Sequence, residues 1–301
     1  MEAPSLENAW AKLEWAGQHF KGLRTEIETF EEAHNYRISV ESDLDAGEYL
    51  FRIHDVQPVN PLWGLRIGDV VHNARTALDY LVVNLWAHIT GQDPRTIGDI
   101  QFPVFDDPGR YKGAVKEMGT NLAFRGYLTR IEELQPFNNG NPSIWGLGPW
   151  NVPKISAVPS ALQRLSDLDN VDKHRVIHAA WNGVAWHLSP SLPSAPGHEL
   201  DGGSTYGGPL ENGAEVGRAR VRSPLPSTWR PTELEMKRHF PLEVSLDEPL
   251  PMKGVLEVLP FCLWAVSEVL TLFDPVFASG SPPLPVTTIV PSPLETVRQG
   301  A

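Results

Sequence analysis

One stretch of the chain decides the fold, Arg66-Ile67-Gly68-Asp69-Val70-Val71-His72-Asn73-Ala74-Arg75-Thr76-Ala77-Leu78-Asp79. At about 100° per residue, its apolar side chains fill one half of a helical wheel. The other half carries the polar side chains of Arg66, Asp69, His72, Asn73, Arg75, Thr76 and Asp79. The spacing therefore predicts a long helix from Leu62 to Thr90, with one buried face and one polar face.

The regions on either side of this helix show the periodicities of further helices and strands. Helices are predicted over 5–33, 108–118, 122–134 and 160–180, and over the apolar run from Val255 to Phe273. Alternation around Ile38 and Ile53 predicts a β-hairpin, and further strands are expected at 184–188, 215–221 and 239–246. The stretch 136–160 is predicted to be an irregular loop. The predicted class is α+β, with a mainly helical core and a small antiparallel sheet.

No linker in the sequence separates two hydrophobic cores, so we expect a single α+β domain over 1–277. The Gly/Pro-rich stretch 189–213 is predicted to be a flexible insert in that domain. The Pro-rich tail 278–301 is predicted not to pack against it.

Composition limits the classes of partner. The 301 residues carry a formal net charge of −12, which disfavours non-specific binding to nucleic acid or to anionic membranes. We therefore expect no DNA partner and no membrane partner. Glu257, Pro260 and Glu268 interrupt the C-terminal apolar run, which favours a buried helix over a membrane span. The start of the chain lacks the pattern of a signal peptide, so a cytoplasmic protein is expected.

The polar face of the Leu62–Thr90 helix has two interpretations. In the structural one, Arg75 and Asp79 form an ion pair, while Asp69 and Asn73 share a hydrogen-bond network with Arg66. In the catalytic one, His72 transfers protons beside Arg66 or Arg75 during work on a phosphodiester, and Asn73 or Asp69 orients it.

A second polar cluster is formed by Asn170, Asp172, Lys173, His174 and Arg175. These side chains could be structural ion pairs or could complete the first cluster. Alternatively, His174 and His178, one helical turn apart, could bind a metal ion together with His72. No phosphate-binding loop, dinucleotide-binding motif, nucleophile elbow or CxxC pair is present, and we expect no cofactor.

Arg66 and His72, separated by five residues on a helix of a mainly helical chain, resemble the R-x(4–6)-H signature of the HEPN superfamily. In that family the Arg and His of two protomers face each other and cut RNA without a metal ion. The resemblance implies a homodimer in which Arg66 binds the scissile phosphate and His72 is the acid or base. The position after the Arg is commonly polar in the family, whereas this chain has Ile67 there.

A second resemblance covers more of the chain. The segment from His72 to Asp79, His-Asn-x-Arg-x-Ala-Leu-Asp, and the segment from Asn170 to Arg175, Asn-x-Asp-Lys-His-Arg, are similar to segments in proteins of actinobacteria and their phages. This resemblance implies no activity.

The sequence therefore leaves three alternative functions. The first is a metal-independent endoribonuclease of the HEPN type, which would bind RNA in a local basic cleft of Arg66, Arg75 and Arg175. The second is a non-catalytic interaction protein in which both polar clusters are structural. The third is a metal hydrolase with His72, His174 and His178 as ligands.

Overall fold

The computed structural model describes residues 4–33, 36–43, 48–98, 100–138, 154–174, 177, 179–183, 200–205, 210–221, 242–246 and 253–278. The chain divides into two compact units, each built from separate stretches of sequence. The first unit contains 1–21, 66–175 and 258–301, and the second contains 22–65 and 176–257. The single domain expected over 1–277 stays a prediction.

The mainly helical α+β class is confirmed. The long helices are α1 (Glu7–Ala33), α2 (Leu62–Thr90), α5 (Lys154–His174) and α6 (Val255–Phe277), and two shorter ones are α3 (Pro108–Ala114) and α4 (Leu122–Glu133). The strands are β1 (Arg37–Asp43), β2 (Glu48–His54), β3 (Ala179–Gly183), β4 (Leu200–Thr205), β5 (Glu215–Val221), β6 (Leu242–Leu246) and β7 (Lys253–Gly254). The bounds predicted for α2 agree with the structure at both ends.

The core of the first unit is formed by the apolar faces of its helices. On α2 every apolar side chain from Ile67 to Leu85 that the wheel places on one face is buried. Trp86 contacts Phe124 of α4 edge to face, with 5.0 Å between the ring centroids. On α6 the thiol of Cys262 is buried and lies 3.7 Å from the carbonyl oxygen of Ala161 on α5. Burial raises the pKa of this thiol to about 12, as expected for an unreactive core cysteine.

A buried glutamine fixes the extended segment 101–105 of the first unit. The Gln135 side chain donates hydrogen bonds to the carbonyl oxygens of Pro103 (2.8 Å) and Ile131 (3.0 Å). Its oxygen accepts the backbone N–H of Phe105 at 3.0 Å. Because all of these polar groups are satisfied, the segment can pack beside the helices without secondary structure of its own.

The described residues of the second unit form two antiparallel sheets, where the sequence predicted one. The strand orders are β1-β2-β5-β4 and β3-β6-β7. The predicted hairpin is confirmed, with Ile38 opposite Ile53 and Val40 opposite Phe51. The carboxylate of Glu31 on α1 accepts the backbone N–H of Val244 at 2.8 Å and so ties this end of α1 to β6.

Three predictions about elements were wrong in position. The helix predicted over 160–180 lies at 154–174, because Pro159 is tolerated early in the helix and Ala179 and Ala180 instead pair with β6. Residues 154–160, predicted as the end of an irregular loop, therefore belong to α5. Within the insert predicted over 189–213, Leu200–Thr205 pair with β5 as a strand, since backbone pairing needs no side-chain pattern. The strand predicted at 184–188 and the tail beyond 278 lie outside the described residues.

Among the described residues, α6 is the one helix long and apolar enough to cross a membrane. One of its faces is buried, including Val258, Val266 and Phe273. Core helices pass the same length and composition test, so the preference for a buried helix stays a prediction.

Candidate functional site

The two predicted polar clusters lie together in the first unit, where α2 contacts α5. Gly68 on α2 has no side chain, and the carboxylate of Asp172 on α5 occupies the space that a β-carbon there would need. The charges of Asp69 and His72 on α2 both act on Asp172. The contact therefore favours the interpretation in which the second cluster completes the first.

The centre of this contact is a histidine backed by a buried carboxylate. The His72 side chain is 60% exposed, whereas that of Asp169 is 3% exposed, and 4.0 Å separates Nδ1 from Oδ1. The other oxygen of Asp169 pairs with Lys173 Nζ at 2.6 Å. Within the described residues, Oδ1 accepts no hydrogen bond. One oxygen of a nearly buried carboxylate thus stays available on the side of an exposed imidazole.

Further carboxylates make the surroundings of His72 acidic. Burial raises the pKa of Asp172, the negative charges of Asp169 and Asp69 raise it further, and His72 lowers it. Each carboxylate therefore disfavours the ionised form of its neighbours, while the positive charge of Lys173 is paired with Asp169.

Asn73, Arg75 and Asp79, which we call the inner half of the polar face, take part in a network of hydrogen bonds and ion pairs. Asn73 accepts a hydrogen bond from Lys12 Nζ of α1 at 3.1 Å and donates one to the Asp69 carbonyl oxygen at 2.7 Å. The predicted ion pair between Arg75 and Asp79 is confirmed, with 3.1 Å between Nη1 and Oδ1. Arg75 also donates to the Phe102 carbonyl oxygen, and Asp79 accepts the Phe102 N–H at 2.8 Å.

These contacts bear on two roles that the sequence analysis assigned. Both polar atoms of the Asn73 side chain bond groups other than His72. Arg75 is buried, with 9% of the residue exposed, which disfavours a part in an open basic cleft for RNA. The helix turns these side chains toward α1 and the 101–105 segment, and their roles in catalysis and in RNA binding stay predictions.

The remaining predicted residues are distributed around this contact. Arg66 and Asp69 are exposed on α2, and Asn170, Lys173 and His174 are exposed on α5. His72 lies six positions after Arg66, which turns their side chains about 120° apart around the helix axis. Arg175 and His178 lie outside the described residues.

No metal centre is found in the part of the chain that the structure describes, where three or more His, Cys, Asp or Glu side chains do not form a group that could hold an ion. Because His178 is not among those residues, the three-histidine site stays a prediction. The test is the metal content of the purified protein.

Sequence reasoning missed two of the contacts that build the site. Asp169 directly precedes the second cluster and lies four residues before Lys173, a spacing that is typical of an ion pair but does not indicate its approach to His72. Lys12 lies 61 residues from Asn73, and nothing in its local sequence singled it out. Pairings across such distances arise from tertiary packing, which a single sequence does not display.

Comparisons with protein-family models, with curated proteins and with solved structures find no match to this chain.

Proposed function

We propose that this protein is a metal-independent endoribonuclease with His72 as the group that transfers a proton. One observation carries the proposal, the exposed imidazole of His72 with the buried carboxylate of Asp169 4.0 Å from its Nδ1. A carboxylate behind an imidazole can fix the orientation of the ring and stabilise the positive charge that it gains with a proton. In a structure without substrate, such contacts are often longer than a hydrogen bond.

In the proposed reaction, His72 removes the proton from a ribose 2′-hydroxyl. The 2′-oxygen attacks the adjacent phosphorus, the bond from phosphorus to the 5′-oxygen breaks, and the leaving oxygen takes a proton from solvent. The products are a 2′,3′-cyclic phosphate and a 5′-hydroxyl. Because the nucleophile belongs to the RNA itself, the step needs no metal-bound water.

Arg66 is the proposed phosphate-binding residue, as the resemblance to the HEPN superfamily implies. It is exposed on α2 and carries positive charge near a cluster of acidic side chains. Since about 120° separates it from His72 around one helix, the two side chains point in different directions from the polar face of α2. We therefore propose a homodimer in which Arg66 of one protomer serves the His72 of the other.

The test compares an RNA oligonucleotide with the same sequence carrying 2′-O-methyl groups, both in excess EDTA. The proposal predicts cleavage of the RNA to cyclic-phosphate ends and no cleavage of the methylated strand. Cleavage of both strands, or loss of RNA cleavage on adding EDTA, would contradict it. Loss of RNA cleavage on adding EDTA would instead support the metal hydrolase.

A non-catalytic interaction protein is the second candidate. The contacts of Asn73, Arg75 and Asp79 favour it, because they connect α2 to α1 and to the 101–105 segment as a structural clamp would. This candidate predicts that a folded preparation cuts neither strand. It also predicts that substitutions in the inner half change stability alone.

A further inference from the structure

A cavity of about 370 Å³ lies in the first unit, between the 101–105 segment, α3 and α5. It is large enough for a small organic ligand, since such pockets commonly enclose roughly 300–1,000 Å³. Asp169, Asn170 and Lys173 belong both to this lining and to the polar contact around His72, whereas Phe105, Arg110 and Met118 belong to the cavity alone.

Positive charge is concentrated in its lining. Arg75, Arg110 and Lys173 line the cavity, whereas Asp169 is the one acidic side chain among its described lining residues. The chain as a whole carries a net charge of −12. Arg75 is paired with the partly buried Asp79, so Arg110 and Lys173 are the two cations that an anionic ligand can reach.

Two of these cations have hydrogen-bond donors to spare. The Lys173 ammonium group has three donors, and Asp169 takes one of them at 2.6 Å. Arg110 pairs with Asp106 at 3.6 Å, and both of these side chains are more than half exposed. An exposed pair of this kind is weak and can exchange for a ligand at little cost.

An aromatic surface lies beside the cations. The guanidinium carbon of Arg110 lies 5.5 Å from the centroid of the Phe105 ring, and Phe105 and Met118 also line the cavity. A flat apolar group can pack against this wall while an anion contacts Arg110 and Lys173.

We propose that this cavity binds an organic phosphomonoester, with the phosphate between Arg110 and Lys173 and the organic group against Phe105. A phosphate dianion suits two cations better than a carboxylate does, because it carries more charge and more acceptor oxygens. The proposal does not depend on RNA cleavage.

Calorimetric titration of the full chain with phenyl phosphate, inorganic phosphate and benzoate tests it. We expect phenyl phosphate to bind at least about tenfold more tightly than either of the others, since each lacks one of its two kinds of contact. Equal affinity for phenyl phosphate and benzoate, or no binding of phenyl phosphate, would overturn the proposal. In the latter case the cavity holds water.

Variants then locate the binding. Arg110→Gln and Lys173→Gln should each weaken phenyl phosphate binding about tenfold or more, the loss expected for a hydrogen bond to a charged group. Arg24→Gln is the matched control, because it removes the same charge from an exposed pair on α1. Equal weakening by the control would show that net charge, and not the cavity, determines the binding. If phenyl phosphate binds and the folded protein cuts no RNA, this proposal holds and the proposed ribonuclease activity is contradicted.

Discussion

The carboxylate of Asp172 on α5 lies where a β-carbon would stand on Gly68 of α2. This contact explains why a glycine is present in a helix that is otherwise rich in residues with branched or long side chains. Glycine costs a helix about 1 kcal/mol relative to alanine. At this position the cost is offset by the close approach of the two polar clusters.

Gly68→Ala should lower the free energy of unfolding by about 1–3 kcal/mol, because the new methyl group overlaps Asp172. In an Asp172→Ala background the same change should stabilise the helix. Chemical denaturation of the single and double variants measures both effects. Gly17→Ala on α1 is the control, since no atom among the described residues lies within 4 Å of its added β-carbon beyond the local helix. Destabilisation in both backgrounds would contradict the proposed overlap.

Asp79→Ala should lower the free energy of unfolding by about 3 kcal/mol, because it leaves the buried Arg75 without its partner. It also removes the acceptor of the Phe102 N–H. The milder Asp79→Asn keeps an acceptor and should cost less. Glu28→Ala breaks an exposed ion pair with Arg24 and should change stability by less than about 0.5 kcal/mol. If urea denaturation shows that Asp79→Ala and Glu28→Ala lower the free energy of unfolding equally, the buried pair of Arg75 and Asp79 stabilises the fold no more than the exposed pair.

The stability conferred at Asp172 should depend on pH. Burial and two neighbouring carboxylates raise its pKa in the folded chain, so its ionised form is favoured more in the unfolded chain. The folded state is therefore penalised as the pH rises through this raised pKa, and the penalty is absent below the unfolded value. Asp172→Asn should raise Tm at pH 7 and have a smaller effect at about pH 3.

Glu117→Gln serves as the comparison, because Glu117 is an exposed carboxylate of the first unit outside this cluster. If Asp172→Asn raises Tm as much at acidic pH as at neutral pH, the effect comes from packing and not from ionisation.

The role of Asp169 can be separated from its ion pair. If it positions His72, Asp169→Asn should slow RNA cleavage at least about tenfold while the protein stays folded. Lys173→Gln removes the partner of Asp169 but not its carboxylate, and should change the cleavage rate much less. Single-turnover rates at saturating RNA measure both. Equal losses would make the ion pair, and not the orientation of His72, the important contact.

The sequence predicts α2 well because its apolar stripe, from Ile67 to Leu85, is long and regular and is buried as a unit. The helix α5 was predicted six residues too late, since its first turns contain Pro159 and follow a stretch rich in glycine and proline. Local propensity could not place its start, although the packing of its later turns could be anticipated.

The sequence predicts which types of residue form the candidate site better than it predicts which residues they contact. His72 and the second polar cluster were identified from spacing alone, and their meeting was one of three alternatives. The contacts that Asn73 makes with Lys12, and Arg75 with Phe102, were not anticipated, because these partners are distant in sequence. Helical periodicity indicates which face a residue occupies, but not which other element packs against that face.

The central claim is that His72 transfers the proton, and RNA cleavage by His72→Ala in excess EDTA tests it most directly. His88→Ala is the matched control, an exposed histidine on the same helix about 24 Å farther along its axis. With both variants shown to be folded, we expect His72→Ala to lose about 100-fold or more of the wild-type rate, the usual contribution of a general acid or base, while His88→Ala retains it. Equal rates for wild type and His72→Ala would contradict the account and assign the polar clusters to structure.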